Sequence, residues 1–413
     1  MSGPLDAGVA TARLAFRNTL RHRTRSMTAI AAIGFGVIAI VMAGGFIEWI
    51  FWAIREATIQ TGLGHVHVVR TGYQDSGTAN PFSYLLPDKS RELSALEASP
   101  EVRMVAPRLN FGGLISHGET TLSFAGEGVD AEREKLVSRV LHMSQGEGLS
   151  GEDPNGIVMG AGLAASLGIK PGANVVLLAT SASGSINAVD AHVRGFFLSE
   201  VKAYDDIALR TPISLARTLL KVNGSHVWVV ALDETDRTRK WIEQSRARFG
   251  ATNLEFIPWF DLSDFYNKSV TLLSSQMVVV RTIIGLIIVL SISNVLIMSV
   301  LERTGEIGTL MAMGTRRREI LKQFLWEGFL LGLIGATIGV VVGVVLARLI
   351  SVVGIPMPPP PGRQVGYSGQ ILVTWGLAVG TFALAIFTTM LASVYPAWKG
   401  SHLEIVDALR HNR

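Results

Sequence analysis

Hydrophobic positions along the chain follow two patterns. In four places they run almost unbroken for about 20 residues, the length that crosses the hydrocarbon core of a bilayer. Between the first and second of these runs they come instead in short alternating stretches, punctuated by Gly, Pro, Asn and Asp. The unbroken runs centre on Met27–Ile47, Thr282–Leu301, Gly328–Ala347 and Ile371–Tyr395. They predict membrane helices over 27–50, 271–301, 323–348 and 371–395, joined by segments 302–322 and 349–370 and followed by a tail, 396–413. The alternating stretches fill 51–270, expected as one exported domain whose two ends continue the flanking helices.

Within that domain "HVHVVR" alternates as a strand does. "GIVMGAGLAASLGIKPGANVVLLA" reads as strand, short helix, Pro-Gly turn and strand. "HVWVVALDETDRTRKWIEQSRARFGATNLEFIPW" predicts strand, a helix capped near Asp233, and strand. A polar tip at 181–187, "SASGSIN", predicts a hairpin over 175–198. The interval is long enough to hold its own core, and two α+β subdomains are expected. The fold class is therefore membrane α-helical, with four transmembrane helices and a large extracytoplasmic α+β domain inserted between helices 1 and 2.

Ahead of the first run, Val9, Ala12, Phe16 and Leu20 share one helical face, flanked by Arg13, Arg17 and Arg21. Residues 1–26 thus predict an amphipathic helix lying in the bilayer surface. Charge sets the orientation. Arginines at 13, 17, 21, 23 and 25, the basic segment Arg303 to Lys322, and Lys399, Arg410 and Arg413 all fall on one side of the four runs, whereas 349–370 holds Arg363 alone. By the positive-inside rule both termini and 302–322 are cytoplasmic and the large domain is periplasmic, in a bacterial inner membrane.

Composition agrees with a membrane protein carrying a soluble part: of 413 residues 48% are hydrophobic and 17% charged. The net charge of +4 is small, and the basic residues form no continuous patch with aromatics, which argues against nucleic acid. Cysteine is absent, so disulfides and thiolate metal sites are excluded. No phosphate loop, H-E-x-x-H or G-x-S-x-G is present, and an enzyme is not expected. His65 and His67 share a strand face, but two histidines do not make a metal site.

Gly328, Gly332, Gly335, Gly339 and Gly343 fall on one narrow face of the third run, where another helix can approach closely. Packing within the chain and packing between two copies both fit. Glu48 and Arg281 each come out about 30 Å from the inner face, so they could pair or snorkel separately into water. Glu327, at the inner end of the third run, is expected to face water.

The segment between the second and third runs is the most patterned. "ERTGEIGTLMAMGTRRREILKQFLWEGFLLGLIGATIGVVVG" resembles the signature of MacB/FtsX-like ABC transporter permeases, with Arg303, Glu306, Ile307, Gly308, Ala312 and Gly314 in the places of its Arg-x-x-Glu-Ile-Gly and Ala-x-Gly elements. Glu327, Pro396, Ala397 and the closing Ala408 to Arg410 match as well. "GHVHVVRTGY" and "GIVMGAGLAASLGIKPG" look closest to the lipoprotein-releasing (LolC/LolE-like) permeases.

The resemblance implies the permease subunit of a mechanotransmission transporter that extracts lipoproteins or another lipidic cargo from the outer leaflet. It implies no cofactor in this chain. ATP and Mg would be bound by two copies of a cytoplasmic ABC ATPase, and a second permease, identical or paralogous, would complete the membrane part. A periplasmic carrier would be a further partner, although the 179–192 turn in the place of the family's carrier hook is short and lacks proline. Residues 302–322 would be the coupling helix, with Arg303, Glu306, Ile307, Gly308, Leu310, Met311 and Gly314 meeting the ATPase. Met42, Phe46, Ile50, Phe51, Met277 and Ile284 would line an apolar cavity between two copies. The rival expectations are a drug or peptide efflux permease of the macrolide-exporter type and an FtsX-like regulator of a cell-wall hydrolase.

Overall fold

The computed structural model describes residues 23–77, 79–138, 142–199, 202–357 and 367–403. The amphipathic face of Val9 to Leu20, most of the Pro-rich stretch and the end of the tail lie outside the described residues. The first long helix, α1, covers Arg23–Thr58 and ends in one turn of π-helix, Ile59–Leu63. Then come β1 (Val66–Arg70), α2 (Arg91–Glu97), β2 (Val102–His117), β3 (Thr120–Val129), α3 (Ala131–Val137), β4 (His142–Gly146) and β5 (Gly156–Gly160). These are followed by α4 (Ala161–Leu167), β6 (Asn174–Thr180), β7 (Ile186–Leu198), β8 (Ala208–Pro212), α5 (Ile213–Leu220), β9 (Val227–Leu232), α6 (Thr238–Arg248) and β10 (Leu254–Pro258). The chain returns to long helices with α7 (Asp264–Glu302), a short α8 (Thr304–Ala312), α9 (Arg317–Val353) and α10 (Trp375–Ser401).

Two compact units result. One is helical and contains the described residues up to Trp52, Val270–Pro356, and those from Ser368 onward. Its four long helices, α1, α7, α9 and α10, are each apolar and long enough to cross a membrane. Their shared core joins Ile33, Val37 and Val41 to Ile288, Ile292, Leu331 and Ala385. The glycine face of α9 is what lets backbones approach. A Cβ on Gly335 or Gly339 would lie 2.7 or 2.6 Å from the Cβ of Ile33 or Val37 of α1. Gly328 and Gly332 instead meet Ser393 and Thr389 of α10. The five glycines therefore serve packing within the chain.

Several boundaries differ from those expected, each for a local reason. The fourth helix begins at Trp375 rather than 371. Ile371 and Leu372 donate their N–H groups to Ser351 Oγ (2.9 Å) and Gly45 O (2.8 Å), and Thr374 caps the helix by accepting the Leu377 N–H at 3.2 Å. The third helix begins at Arg317 rather than 323, so it absorbs the end of the segment expected as one coupling helix. Asp233 caps nothing; it pairs with Arg103 at 3.1 Å, and a 3-10 turn over Thr235–Arg237 leads into α6. Glu327 does not face water: it is buried.

Pro396 lies inside α10, where it cannot donate to the carbonyl of Ala392. That carbonyl is taken over by the Ser293 hydroxyl of α7 at 2.9 Å. The carbonyl that the proline frees is thus satisfied by a neighbouring helix, as a membrane interior demands.

The other unit, Ala53–Ser269 with a short return segment, is built on one ten-stranded sheet of order β10-β1-β9-β2-β3-β8-β5-β7-β4, with β6 bridging β2 and β7. Strands β3 and β8, and β5 and β7, pair in parallel; the other pairs are antiparallel. The two largest buried clusters of this unit gather Val66, Val68, Trp228, Val230, Trp241 and Phe256, and Leu109, Ile157, Met159, Leu177, Val193 and Leu209. The 16-residue β2 contributes Val105 to the first and Leu109 and Ile115 to the second, so both lie in one compact unit on a single sheet. The β6–β7 hairpin is present, its tip tied by the hydroxyls of Ser181, Ser183 and Ser185 at 2.9–3.1 Å.

Candidate functional site

The patterned segment folds into the nine-residue helix α8, set between the ends of α7 and α9. Its stop is chemical. Gly314 adopts φ +96°, which a side chain would oppose, and the N–H groups of Gly314 and Thr315 close on Met311 O and Leu310 O, both at 3.0 Å. Arg316 is extended and α9 starts at once.

One face of α8 is spent on the chain itself. Ile307 and Met311 are buried with Val300, Ile320, Phe324 and Ala397, so they draw α7, α9 and α10 together at one end of the helical unit. Gly308 is buried as well. Ile307, Gly308 and Met311, expected to meet the ATPase, are thereby removed from any outer surface. The apolar stripe that marks the helix as amphipathic is filled by side chains of α7, α9 and α10.

Charge fixes the same joint. Arg303, between α7 and α8, is 7% exposed, and its guanidinium lies 3.3 Å from Glu306, 3.7 Å from Glu327 of α9 and 5.9 Å from the centre of the Phe324 ring. Glu327 is equally buried, at 7%. Removing Arg303 would leave Glu327 a lone buried charge, at a cost of about 3–5 kcal/mol, whereas removing Glu327 would leave Arg303 its contact with Glu306. Just before this, Glu302 pairs with Arg25 of α1. The Arg303–Glu327 contact ties α8 to α9 and the Arg25–Glu302 pair ties α7 to α1, while the hydrophobic contact through Ala397 adds α10.

The opposite face is open. Glu306, Thr309, Ala312 and Met313 are exposed, Met313 at 71%, and Leu310 is half-exposed beside them. Arg316, Arg317 and Arg318 continue this surface. A rigidly braced short helix with a mixed apolar and charged outer face can receive a partner protein and pass on its movement without bending.

The remaining expected residues scatter. Met277 is buried against Gly44 and Ile284 packs at Gly36, so both face α1 of the same chain rather than a cavity between copies. Phe46 stacks on Trp49 at 6.1 Å and lies at Gly369, and Met42, Ile50 and Phe51 are partly exposed. The surface that α7 leaves open is instead that of Ile283, Leu286, Ile287 and Leu290, each more than half exposed. Glu48 and Arg281 form no ion pair with each other among the described residues, and Arg281 is exposed. Sequence reasoning missed the Arg25–Glu302 pair and the burial of Glu327. No local signal marks either: Arg25 and Glu302 lie 277 residues apart, and Glu327 meets Arg303 only once α9 has folded back after the Gly314 turn.

Known proteins share this arrangement. Residues 26–246 match the MacB-like periplasmic core domain, and residues 278–405 match the FtsX-like permease C-terminal domain. The chain is 22% identical to the lipoprotein-releasing system transmembrane protein LolE of Haemophilus influenzae over 329 residues, 76% of this chain and 79% of that one. It is 25% identical to an uncharacterized ABC transporter permease of Methanocaldococcus jannaschii over 96% of both chains. A macrolide export ATP-binding/permease protein MacB of a Shewanella species is 38% identical over 141 residues, which span 34% of this chain but 20% of that longer protein. The two matched domains take in all four long helices and most of the sheet domain, in the order permeases of this kind carry them: the chain belongs to the MacB/FtsX-like family of ABC transporter permeases.

Proposed function

We propose that this permease extracts lipoproteins, or another acylated cargo, from the outer leaflet of the inner membrane, and that separate ATPase subunits drive it. The observation that carries the reading is the braced helix α8: an exposed docking face backed by Arg303–Glu327, by packing against α7, α9 and α10, and by the Arg25–Glu302 pair that ties α7 to α1. Two ATPases would bind two such helices, one on each of two permeases, with both termini and α8 in the cytoplasm. Closure of the ATPases would shift α1 and α7 along their lengths. Those helices have 36 and 39 residues, well beyond what a bilayer of about 30 Å requires at 1.5 Å per residue. Their extensions would then act on the sheet domain. Cargo would enter sideways from lipid and never cross the membrane.

The lipoprotein-releasing relative aligns over 76% of this chain and 79% of its own length, which supports an acylated cargo. ATP and Mg belong to the partner in this reading. A photo-crosslinker at Phe46 or Ile50 should trap a triacylated protein, and ATP with the ATPase should release it. Equal capture of the same protein without its acyl chains would contradict a lipidic cargo.

A further inference from the structure

His65 immediately precedes β1 and His67 lies within it; His67 bonds directly to the segment that enters the sheet domain from α1, and His65 reaches it through Thr235. His65 accepts the Leu232 N–H at Nδ1 (3.0 Å), so its proton sits on Nε2, 3.1 Å from Thr235 Oγ. Thr235 passes the bond on to Glu56 on the last turns of α1, at 3.0 Å, and Gln60 steadies the other carboxylate oxygen at 3.2 Å. The backbone carbonyl of His65 also accepts the Trp259 N–H at 3.1 Å, where the chain leaves the sheet toward α7. Two residues on, His67 donates from Nε2 to Leu63 O at 2.8 Å. Burial holds both imidazoles near pKa 4, helped at His67 by the Arg108 charge, so both stay neutral and these donor roles persist through the neutral range.

Between the two fastenings lies the softest point of the connection. Gly62, in the π-turn Ile59–Leu63, has φ +127°. A Cβ there would sit 3.0 Å from Arg210 Nη2 and from Ser138 Oγ, and 3.2 Å from Arg108 Nη2. Those guanidiniums are buried and held by Glu134, at 2.6 Å from Arg108 and 3.2 Å from Arg210. Glycine is needed for the conformation and for the close approach, yet a glycine turn left alone would absorb any push from the helix.

We propose that His65 and His67 are positioning residues that fasten the end of α1 to the sheet on both sides of the Gly62 turn, so that displacement of the helix moves the whole domain. The inference rests on the mechanical reading above, and its test separates the two. In the full chain in lipid nanodiscs, amide exchange over residues 57–64 should rise about tenfold in His67→Leu and in Thr235→Val. His67→Gln, which keeps a donor at similar reach, should restore slow exchange. His117→Ala, on the β2–β3 hairpin, should change nothing there, and β2 and β9 should stay protected throughout. The chain has no cysteine, so spin labels can be placed at Lys170→Cys and Trp375→Cys. With the ATPase bound, nucleotide should change their separation in the otherwise unaltered chain and not in His67→Leu, while hydrolysis continues. Unchanged exchange in His67→Leu and Thr235→Val, or a full distance change in His67→Leu, would overturn the fastening. No distance change in the unaltered chain would overturn the mechanical reading instead, and the exchange arm would still judge the fastening.

Discussion

Arg303 and Glu327 show how little of a site one residue declares. Both stand at motif positions, so the sequence marks them; their meeting depends on the Gly314 turn, which folds α9 back against α8. Because each is buried, Arg303→Met should lower the stability of the helical unit by about 3–5 kcal/mol, the penalty for a stranded Glu327 charge, whereas Glu327→Leu, which leaves Arg303 its contact with Glu306, should cost less. Replacing both together by Met and Leu should cost clearly less than the sum, which thermal unfolding in nanodiscs can measure as a coupling energy. Histidines supply a second expectation at this scale. His65, His67 and His226 are held near pKa 4 in the fold against 6.5 when free, chiefly by burial. The unfolded chain therefore binds more protons between those values. Stability from these groups is complete above pH 6.5 and declines as pH falls toward 4, steepest in that interval; His226→Phe should flatten the decline.

Among elements, the glycine face of α9 was legible as periodicity, whereas its occupants were not. Spacing places five glycines on one side; only the fold shows that three receive α1 and two receive α10. Gly339→Leu should disrupt the helical unit outright, since even a Cβ meets Val37 at 2.6 Å and Gly34 O at 2.9 Å. Gly380→Ala on α10, with nothing within 4 Å, should be neutral or stabilising by up to about 1 kcal/mol. Size-exclusion profiles and melting midpoints in detergent would separate the two. The amphipathic pattern of α8 was equally visible, but amphipathicity cannot say whose surface fills the apolar stripe. Here Ile307 and Met311 are filled from within, and the receptive face shifts to Leu310, Met313 and the arginines. Strands such as "HVWVVAL" were readable from alternation and β-branching. Their pairing was not: β1 lies between β9 and β10, more than 150 residues onward, and no local rule selects such partners.

At the scale of the whole molecule, α8 would be the entry point of ATP-driven movement and the sheet domain its destination. Co-purification of the ATPase with the permease tests this role of α8. Leu310→Asp and Met313→Asp add a charge to the exposed face of α8 without touching the Ile307–Met311 packing. Both variants should melt like the unaltered chain and still capture cargo, yet lose the ATPase or retain it without stimulation by substrate. Normal co-purification and normal transport by both variants would show that α8 is not the surface on which the ATPase acts.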